Sequence, residues 1–104
     1  MRELAGQRVL VLGLGVSGRS AARFCAEQGA QVVAADERSP ELLGALDLPA
    51  GVGVQLGSTL PDPSEFDLVV PSPGVPPSRY APRARRVWGD VELAARCLRV
   101  PVVA

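Results

Sequence analysis

The feature that most constrains the fold is a run of four aliphatic residues, 9–12, followed directly by a Gly-x-Gly-x-x-Gly motif at residues 13–18. In this motif Gly13 permits a tight turn off a buried strand and Gly15 lets phosphates approach the backbone. Gly18 lets the following helix pack close to the sheet, and the free amides at the helix start point at an anion. The segment therefore predicts the first half of a nucleotide-binding β-α-β unit.

The second half of that unit follows at the expected distance. Apolar residues recur at helical spacing from Ser17 to Gln28, and Gly29 predicts the helix end. A short strand over 31–35 then leads to Asp36. An acidic residue in this place can accept hydrogen bonds from a ribose hydroxyl or a base N–H, although a turn or cap residue would look the same.

The rest of the chain alternates strand and helix signals. We predict an edge strand over 51–57, a buried strand over 67–70 and a strand start over 101–104. The predicted helices are a short one starting at Pro40, one from Ser78 to Arg86, and one from Val91 to Leu98 with Val91, Ala94, Ala95 and Leu98 facing inward. The expected fold is α/β: a Rossmann-like parallel sheet of about five strands with helices on both faces and strand 9–12 at its centre.

A second candidate site segment, Ser72-Pro73-Gly74, follows the strand over 67–70. Open α/β sheets bind ligands at the carboxyl ends of their strands, and Gly74 would let a flat ring or sugar approach the backbone. A rigid turn without a ligand is the alternative. Arg38 suits either a ligand contact or a solvated charge. Three further arginines at helical spacing indicate a solvated face more than an anion site; they are Arg79, Arg83 and Arg86.

Composition excludes several kinds of chemistry. The 104 residues suit one domain, and the formal net charge of zero does not favour nucleic acid or an anionic membrane as partner. All eleven basic residues are arginine, so the chain has no P-loop or Schiff-base lysine and no histidine base or metal ligand. We predict no catalytic or metal-ligating residue. Cys25 and Cys97 lack a metal-type spacing, and no signal peptide or membrane-length apolar run is visible, so we expect a cytoplasmic protein.

Taken together, the motifs resemble the N-terminal domain of the Mur ligase family, most closely its D-glutamate-adding branch. The resemblance covers nearly the whole chain and rests on segments 13–18, 36–38, 71–75, 89–93 and 101–104. In that family the first domain holds the uridine diphosphate of the muramoyl substrate. The resemblance implies that Val16, Ser17 and Gly18 lie near the diphosphate, that Asp36, Glu37 and Arg38 lie near the uridine, and that Ser72 and Gly74 face the uracil. Glu37 departs from the small hydroxyl residue common in relatives.

The resemblance also implies a larger enzyme. The full ligase would use ATP and Mg²⁺ to add D-glutamate to UDP-N-acetylmuramoyl-L-alanine in peptidoglycan synthesis, and its ATP-binding loop would begin just past Ala104. We therefore expect residues 1–104 to be a single nucleotide-sugar-binding domain that binds substrate without catalysis and works with the remaining domains of the ligase. Two alternatives stay open on the residues alone: a free-standing NAD(P)-binding module, and a ligand-free interaction or regulatory domain.

Overall fold

A four-stranded, all-parallel sheet is the centre of the structure, a computed structural model that describes residues 4–44, 47–57, 59–89, 92, 93 and 95. The strands are β1 (Arg8–Leu12), β2 (Gln31–Asp36), β3 (Gly53–Leu56) and β4 (Leu68–Pro71), in the spatial order β3-β2-β1-β4. The predicted Rossmann-like α/β sheet is confirmed, with four strands instead of about five. Strand β1 lies inside the sheet and β3 at its edge, both as predicted. Because all pairs are parallel, the carboxyl ends meet at one edge of the sheet.

Strands β1 and β4 are buried on both faces, which explains the unbroken aliphatic run in β1. Successive strand residues point to opposite faces. On one face Val9 and Val11 pack with Ala22 and Cys25 of helix α1 (Val16–Glu27). On the other face the core includes a separate set of side chains from β1, β2, β4 and the loops, namely Leu10, Leu12, Ala35, Phe66 and Val69, with Leu60, Tyr80 and Ala84 packed against them.

The helix boundaries follow local chemistry. Helix α1 begins after Gly15, which serves as its N-cap, and the chain leaves the helix through Gly29 at a φ of +89°. A left-handed residue in this place favours glycine because a Cβ would be strained. The second helix, α2 (Pro40–Leu43), starts at the predicted proline. No helix among the described residues is long and apolar enough to span a bilayer.

A further backbone segment pairs with the outer edge of β4. Val87 forms a parallel bridge with Val69, in which the Val69 amide donates to the Arg86 oxygen at 2.9 Å and the Trp88 amide donates to the Val69 oxygen at 3.0 Å. The chain therefore occupies the fifth position of the sheet with a single bridge at this point. The strand start predicted over 101–104 lies outside the described residues.

The predicted helix from Ser78 to Arg86 is wrong. The chain forms one short 3-10 turn, Pro77–Arg79, followed by irregular turns. Pro82 has no amide hydrogen to donate to the fourth residue before it, so a regular helix cannot continue through this position. The backbone instead closes local bonds such as the one from the Ala84 amide to the Tyr80 oxygen at 2.9 Å.

The last predicted helix is only partly described. Residues 92, 93 and 95 are helical, but Leu93 is buried and Ala95 is exposed, which corrects the predicted inward position of Ala95. The larger leucine side chain contributes more apolar area than alanine and joins the core that contains Trp88. The other predicted inward residues, Val91, Ala94 and Leu98, lie outside the described residues, as does Cys97.

Candidate nucleotide site

A cavity of about 430 Å³ lies at the edge of the sheet where β1, β2 and β4 end. It is walled by the last residues of β1 and β2 and by the turns that follow all three strands. The lining residues that matter here are Gly13, Gly15, Asp36, Glu37, Arg38, Leu60, Ser72, Gly74, Val75 and Arg79. The cavity is thus lined by the glycine turn and by the loops after β2 and β4, both of which the sequence predicted as site segments. These segments are separated by up to about sixty residues in the chain.

The glycine turn is tightly packed, and two of its glycines are required by contact. Gly13 has a φ of +87°, and its amide donates to the Ala35 oxygen at 2.8 Å. A Cβ at Gly18 would overlap the carbonyl oxygen of Gly13, so only glycine lets α1 begin this close to β1. The Ser72 hydroxyl donates to that same Gly13 oxygen at 3.1 Å and ties the turn to the loop after β4.

The start of α1 faces open space beside the cavity. Gly15 lines the cavity, and a Cβ added to it would meet no atom within 4 Å. Val16 and Ser17 are exposed. As a glycine, the N-cap has no side chain to accept hydrogen bonds from the first helical amides. These amides have no partner within the helix, and together with the helix dipole they favour an anion.

Asp36, the last residue of β2, is buried and holds two parts of the site together. Its Oδ2 atom accepts from the Leu14 amide at 2.7 Å and from Nη2 of Arg38 at 2.7 Å. Its Oδ1 atom accepts from the amide and Nε of Arg38, at 2.8 and 3.0 Å. A carboxylate offers about four acceptor positions, and these four donors fill them. The geometry therefore favours Asp36 as a residue that positions the glycine turn and Arg38.

The same contacts shift the protonation of Asp36. The hydrogen bond from the Arg38 side chain, supported by the Leu14 amide, lowers the pKa of this carboxyl from 3.8 to about 2, against the opposing effect of burial. The carboxylate is therefore ionised throughout the physiological range. Its partner Arg38 is held by a two-pronged ion pair, yet its side chain stays half exposed along the cavity wall.

Glu37 and Arg79 form a second ion pair at the outer part of the cavity. The Arg79 Nε atom lies 3.0 Å from Oε2 of Glu37, and both side chains are about half exposed. Glu37 belongs to the turn after β2, whereas Arg79 ends the 3-10 turn after β4. This contact therefore connects two loops that the sheet places side by side.

The predicted site residues fall into two groups. Those that line the cavity are Gly15, Asp36, Glu37, Arg38, Ser72 and Gly74. Val16, Ser17 and Gly18 stand at the helix start without being part of the lining, and Gly18 is a packing residue. The ligand roles of all nine remain predictions.

Sequence reasoning missed Leu60 and Arg79 as lining residues. Leu60 follows the edge strand without any motif, and no local pattern could have found it. The helical spacing of the arginines favours a solvated face for Arg79, but its side chain pairs with Glu37. Arg83 pairs with Asp62 at 2.8 Å, and the Arg86 guanidinium lies over the Trp88 ring with its carbon 4.7 Å from the ring centroid. The three arginines thus make three different contacts and form no single anion site. In the described part of the chain, no three His, Cys, Asp or Glu side chains group as metal ligands.

Comparison with known proteins agrees with this geometry. Residues 7–87 match the family described as Mur ligase MurD-like, N-terminal domain. UDP-N-acetylmuramoylalanine–D-glutamate ligases from Anaeromyxobacter dehalogenans and Myxococcus xanthus are 49% and 47% identical to this chain, over 97% and 91% of it and 24% and 23% of their own lengths. The ligase of Syntrophus aciditrophicus is 38% identical over 98% of the chain and 25% of its own length.

These matches favour neither the NAD(P)-binding module nor the ligand-free domain. The chain spans about a quarter of the length of the curated relatives it matches. Since the family match covers most of the chain and includes the glycine turn, both cavity loops and all four strands, the chain belongs to the MurD-like Mur ligases and corresponds to their N-terminal domain.

Proposed function

We propose that this chain binds the uridine diphosphate part of UDP-N-acetylmuramoyl-L-alanine for an ATP-dependent ligase that adds D-glutamate in peptidoglycan synthesis. The observation that carries the proposal is the cavity at the carboxyl edge of the sheet, beside a helix start without a side-chain cap, in a chain of this family. The relatives are named for a substrate that contains UDP, which suits a site with one anion-binding end and one flatter, partly apolar end.

The diphosphate end is the start of α1. The amides of Val16, Ser17 and Gly18 are the donors, since the first helical N–H groups have no partner within the helix. Gly15 supports this role by leaving open space where a Cβ would stand. Negative charge is favoured here by the helix dipole, and this contribution is typically about 0.3 to 1 kcal/mol at an exposed site.

The uridine end is the wall formed by the loops after β2 and β4. Gly74 leaves open space for a flat base, and Arg38 presents a guanidinium fixed in place by Asp36. Ser72 acts through the Gly13 oxygen that it holds, and Asp36 acts through Leu14 and Arg38. Glu37 contributes at the outer rim, where it pairs with Arg79.

The chemistry of the complete ligase belongs to other residues. In that reaction ATP would convert the substrate carboxylate to an acyl phosphate, which the amine of D-glutamate then displaces. These 104 residues contain no lysine for an ATP-binding loop, and the described part of the chain has no acidic cluster for Mg²⁺. We therefore expect this chain by itself to bind nucleotide without catalysis, with the rest of the ligase as its partner. A cytoplasmic location fits this role, because ATP is available there and the buried thiol of Cys25 stays reduced.

Titration followed by amide NMR shifts tests this proposal. UDP should shift the amides of 13–18, 36–38 and 72–75, with weak affinity because one domain supplies only part of the substrate contacts. Inorganic phosphate, as the matched probe, should move only the first of these segments. A clear preference for NADH over UDP would favour the dinucleotide-binding alternative, and the absence of any nucleotide-induced shift would favour a ligand-free domain.

A further inference from the structure

The Glu37–Arg79 ion pair stands between two cavities. Beside the nucleotide cavity lies a second one of about 390 Å³, and both are lined by Glu37, Leu60 and Arg79. The glycine turn lines only the first cavity, whereas Asp62 and Arg83 line only the second. The ion pair therefore forms part of the partition between them, and the glycine turn lies on the side of the nucleotide cavity.

The partition would contact the base of a bound nucleotide and not its phosphates. If the diphosphate lies at the start of α1, a ligand that fills the cavity would meet Arg38 and Gly74 and then the ion pair, since all of these residues line it. A base that is larger than uracil would reach further in this direction. It would have to displace Glu37 or Arg79 and enter the second cavity.

We propose that the Glu37–Arg79 ion pair closes the base end of the nucleotide cavity and makes it select a pyrimidine over a purine. The inference rests on the proposed function, because it takes a nucleoside diphosphate as the ligand. Both side chains are about half exposed, so the pair can be removed without leaving a buried charge. Substitutions in this ion pair can therefore change the preference for a nucleotide base without unfolding the domain.

UDP and ADP are the probes, because they share ribose and diphosphate and differ only in the base. In the ratio of their dissociation constants, most of the contribution of the phosphates to binding cancels. So does most of the effect of a changed net charge of the protein. NMR titration of the 104-residue chain gives both constants, even when binding is weak. The wild-type chain should bind UDP more tightly than ADP.

Glu37→Gln and Arg79→Gln each remove the ion pair while keeping a polar side chain. Each variant should reduce the preference for UDP by about two- to fivefold, the range expected for an exposed ion pair. The charge swap, Glu37→Arg with Arg79→Glu, rebuilds the pair in reverse and should restore the preference.

Arg23→Gln is the matched control, because Arg23 is also an exposed arginine with a partner in the chain, the Asp47 oxygen, but lines neither of the two cavities. It should leave the UDP to ADP ratio unchanged. If the chain binds UDP and the ratio is the same in wild type and both single variants, the partition proposal is wrong while the proposed function stands. If the swap fails to restore the ratio, the two side chains contact the ligand directly and the partition is again contradicted. If the wild-type chain binds neither nucleotide, both proposals fall.

Discussion

Two neighbouring carboxylates, Asp36 and Glu37, enter ion pairs of opposite character. Asp36 is 6% exposed and accepts four hydrogen bonds within the chain, whereas Glu37 is 40% exposed and meets one arginine from another loop. We call the first environment the floor; it consists of Gly13 and Asp36, which line the cavity, and of Gly18, which packs against the Gly13 carbonyl without lining the cavity. The second is its rim, formed by Glu37, Gly74 and Arg79.

The difference shows that burial, more than charge, decides what an ion pair does. A filled and buried carboxylate fixes the backbone around it, because losing it would leave the Leu14 amide without its acceptor. An exposed pair is screened by water and salt and contributes little stability. We therefore expect substitutions in the floor to lower the free energy of unfolding. Substitutions in the rim should change ligand preference with little effect on stability.

The largest contrast should come from glycine substitutions. Gly18→Ala places a Cβ against the Gly13 carbonyl oxygen, so either α1 or the turn must move, at a cost of about 3 kcal/mol or more. Gly74→Ala meets no atom within 4 Å and should change the free energy of unfolding by less than about 0.5 kcal/mol. Urea unfolding of both variants measures this. Equal losses would contradict the distinction between floor and rim.

Asp36→Ala should be the next most damaging change. Removing a buried carboxylate that binds both Leu14 and Arg38 should lower the free energy of unfolding by about 2 to 3 kcal/mol, or roughly 10 to 20 °C in melting temperature. Glu37→Gln, one residue along, is the control and should stay within about 0.5 kcal/mol of wild type. The UDP affinity of Asp36→Ala, measured under conditions in which the variant is folded, shows whether Asp36 contacts the ligand or only positions other residues. An unchanged melting temperature with lost affinity would make Asp36 a ligand contact instead of a positioning residue.

Acid should weaken the floor in a defined window. Because the pKa of Asp36 is lowered from 3.8 to about 2, its contribution to stability is complete above about pH 4 and is lost as the pH falls toward 2. That contribution is roughly 2 to 3 kcal/mol at most. The difference in free energy of unfolding between wild type and Asp36→Asn should shrink over this window, measured by urea unfolding at pH 7, 4, 3 and 2. A difference that stays constant with pH would mean that the carboxylate is not held by Arg38.

The smallest effect is expected at the rim. A double-mutant cycle with Glu37→Gln and Arg79→Gln should give a coupling free energy of at most about 1 kcal/mol, which decreases as salt rises. Thermal unfolding at low and high ionic strength measures it. A coupling free energy above about 2 kcal/mol that does not change with salt would mean that this pair stabilises the fold as a buried ion pair does.

The sequence predicted the floor better than the rim because the floor depends on local patterns. The aliphatic run of β1, the glycines at 13–18 and the turn at Gly29 each encode backbone geometry within a few residues. Asp36 was found by its place after a strand, although its four internal partners were not visible. The sequence could show neither that Arg79 would meet Glu37 nor that Leu60 would join the cavity wall, because both contacts join segments that only the sheet brings together.

The remaining errors have similar causes. Helical spacing of Arg79, Arg83 and Arg86 suggested one face, but Pro82 interrupts the helix and sends each arginine to a different partner. Among the described residues of the last predicted helix, Leu93 is buried and Ala95 is exposed. Periodicity alone wrongly placed Ala95 inward, since it could not show which residues of the segment meet the core.

A crystal structure of the chain with UDP tests the central claim most directly, because it locates both ends of the ligand at once. We predict phosphate oxygens about 3 Å from the amides of 16–18, with the uracil beside Gly74 and the Glu37–Arg79 ion pair intact. A ligand bound in the opposite direction, with its base at the glycine turn, would contradict the account. So would a diphosphate bound to the exposed guanidinium of Arg83 in the second cavity.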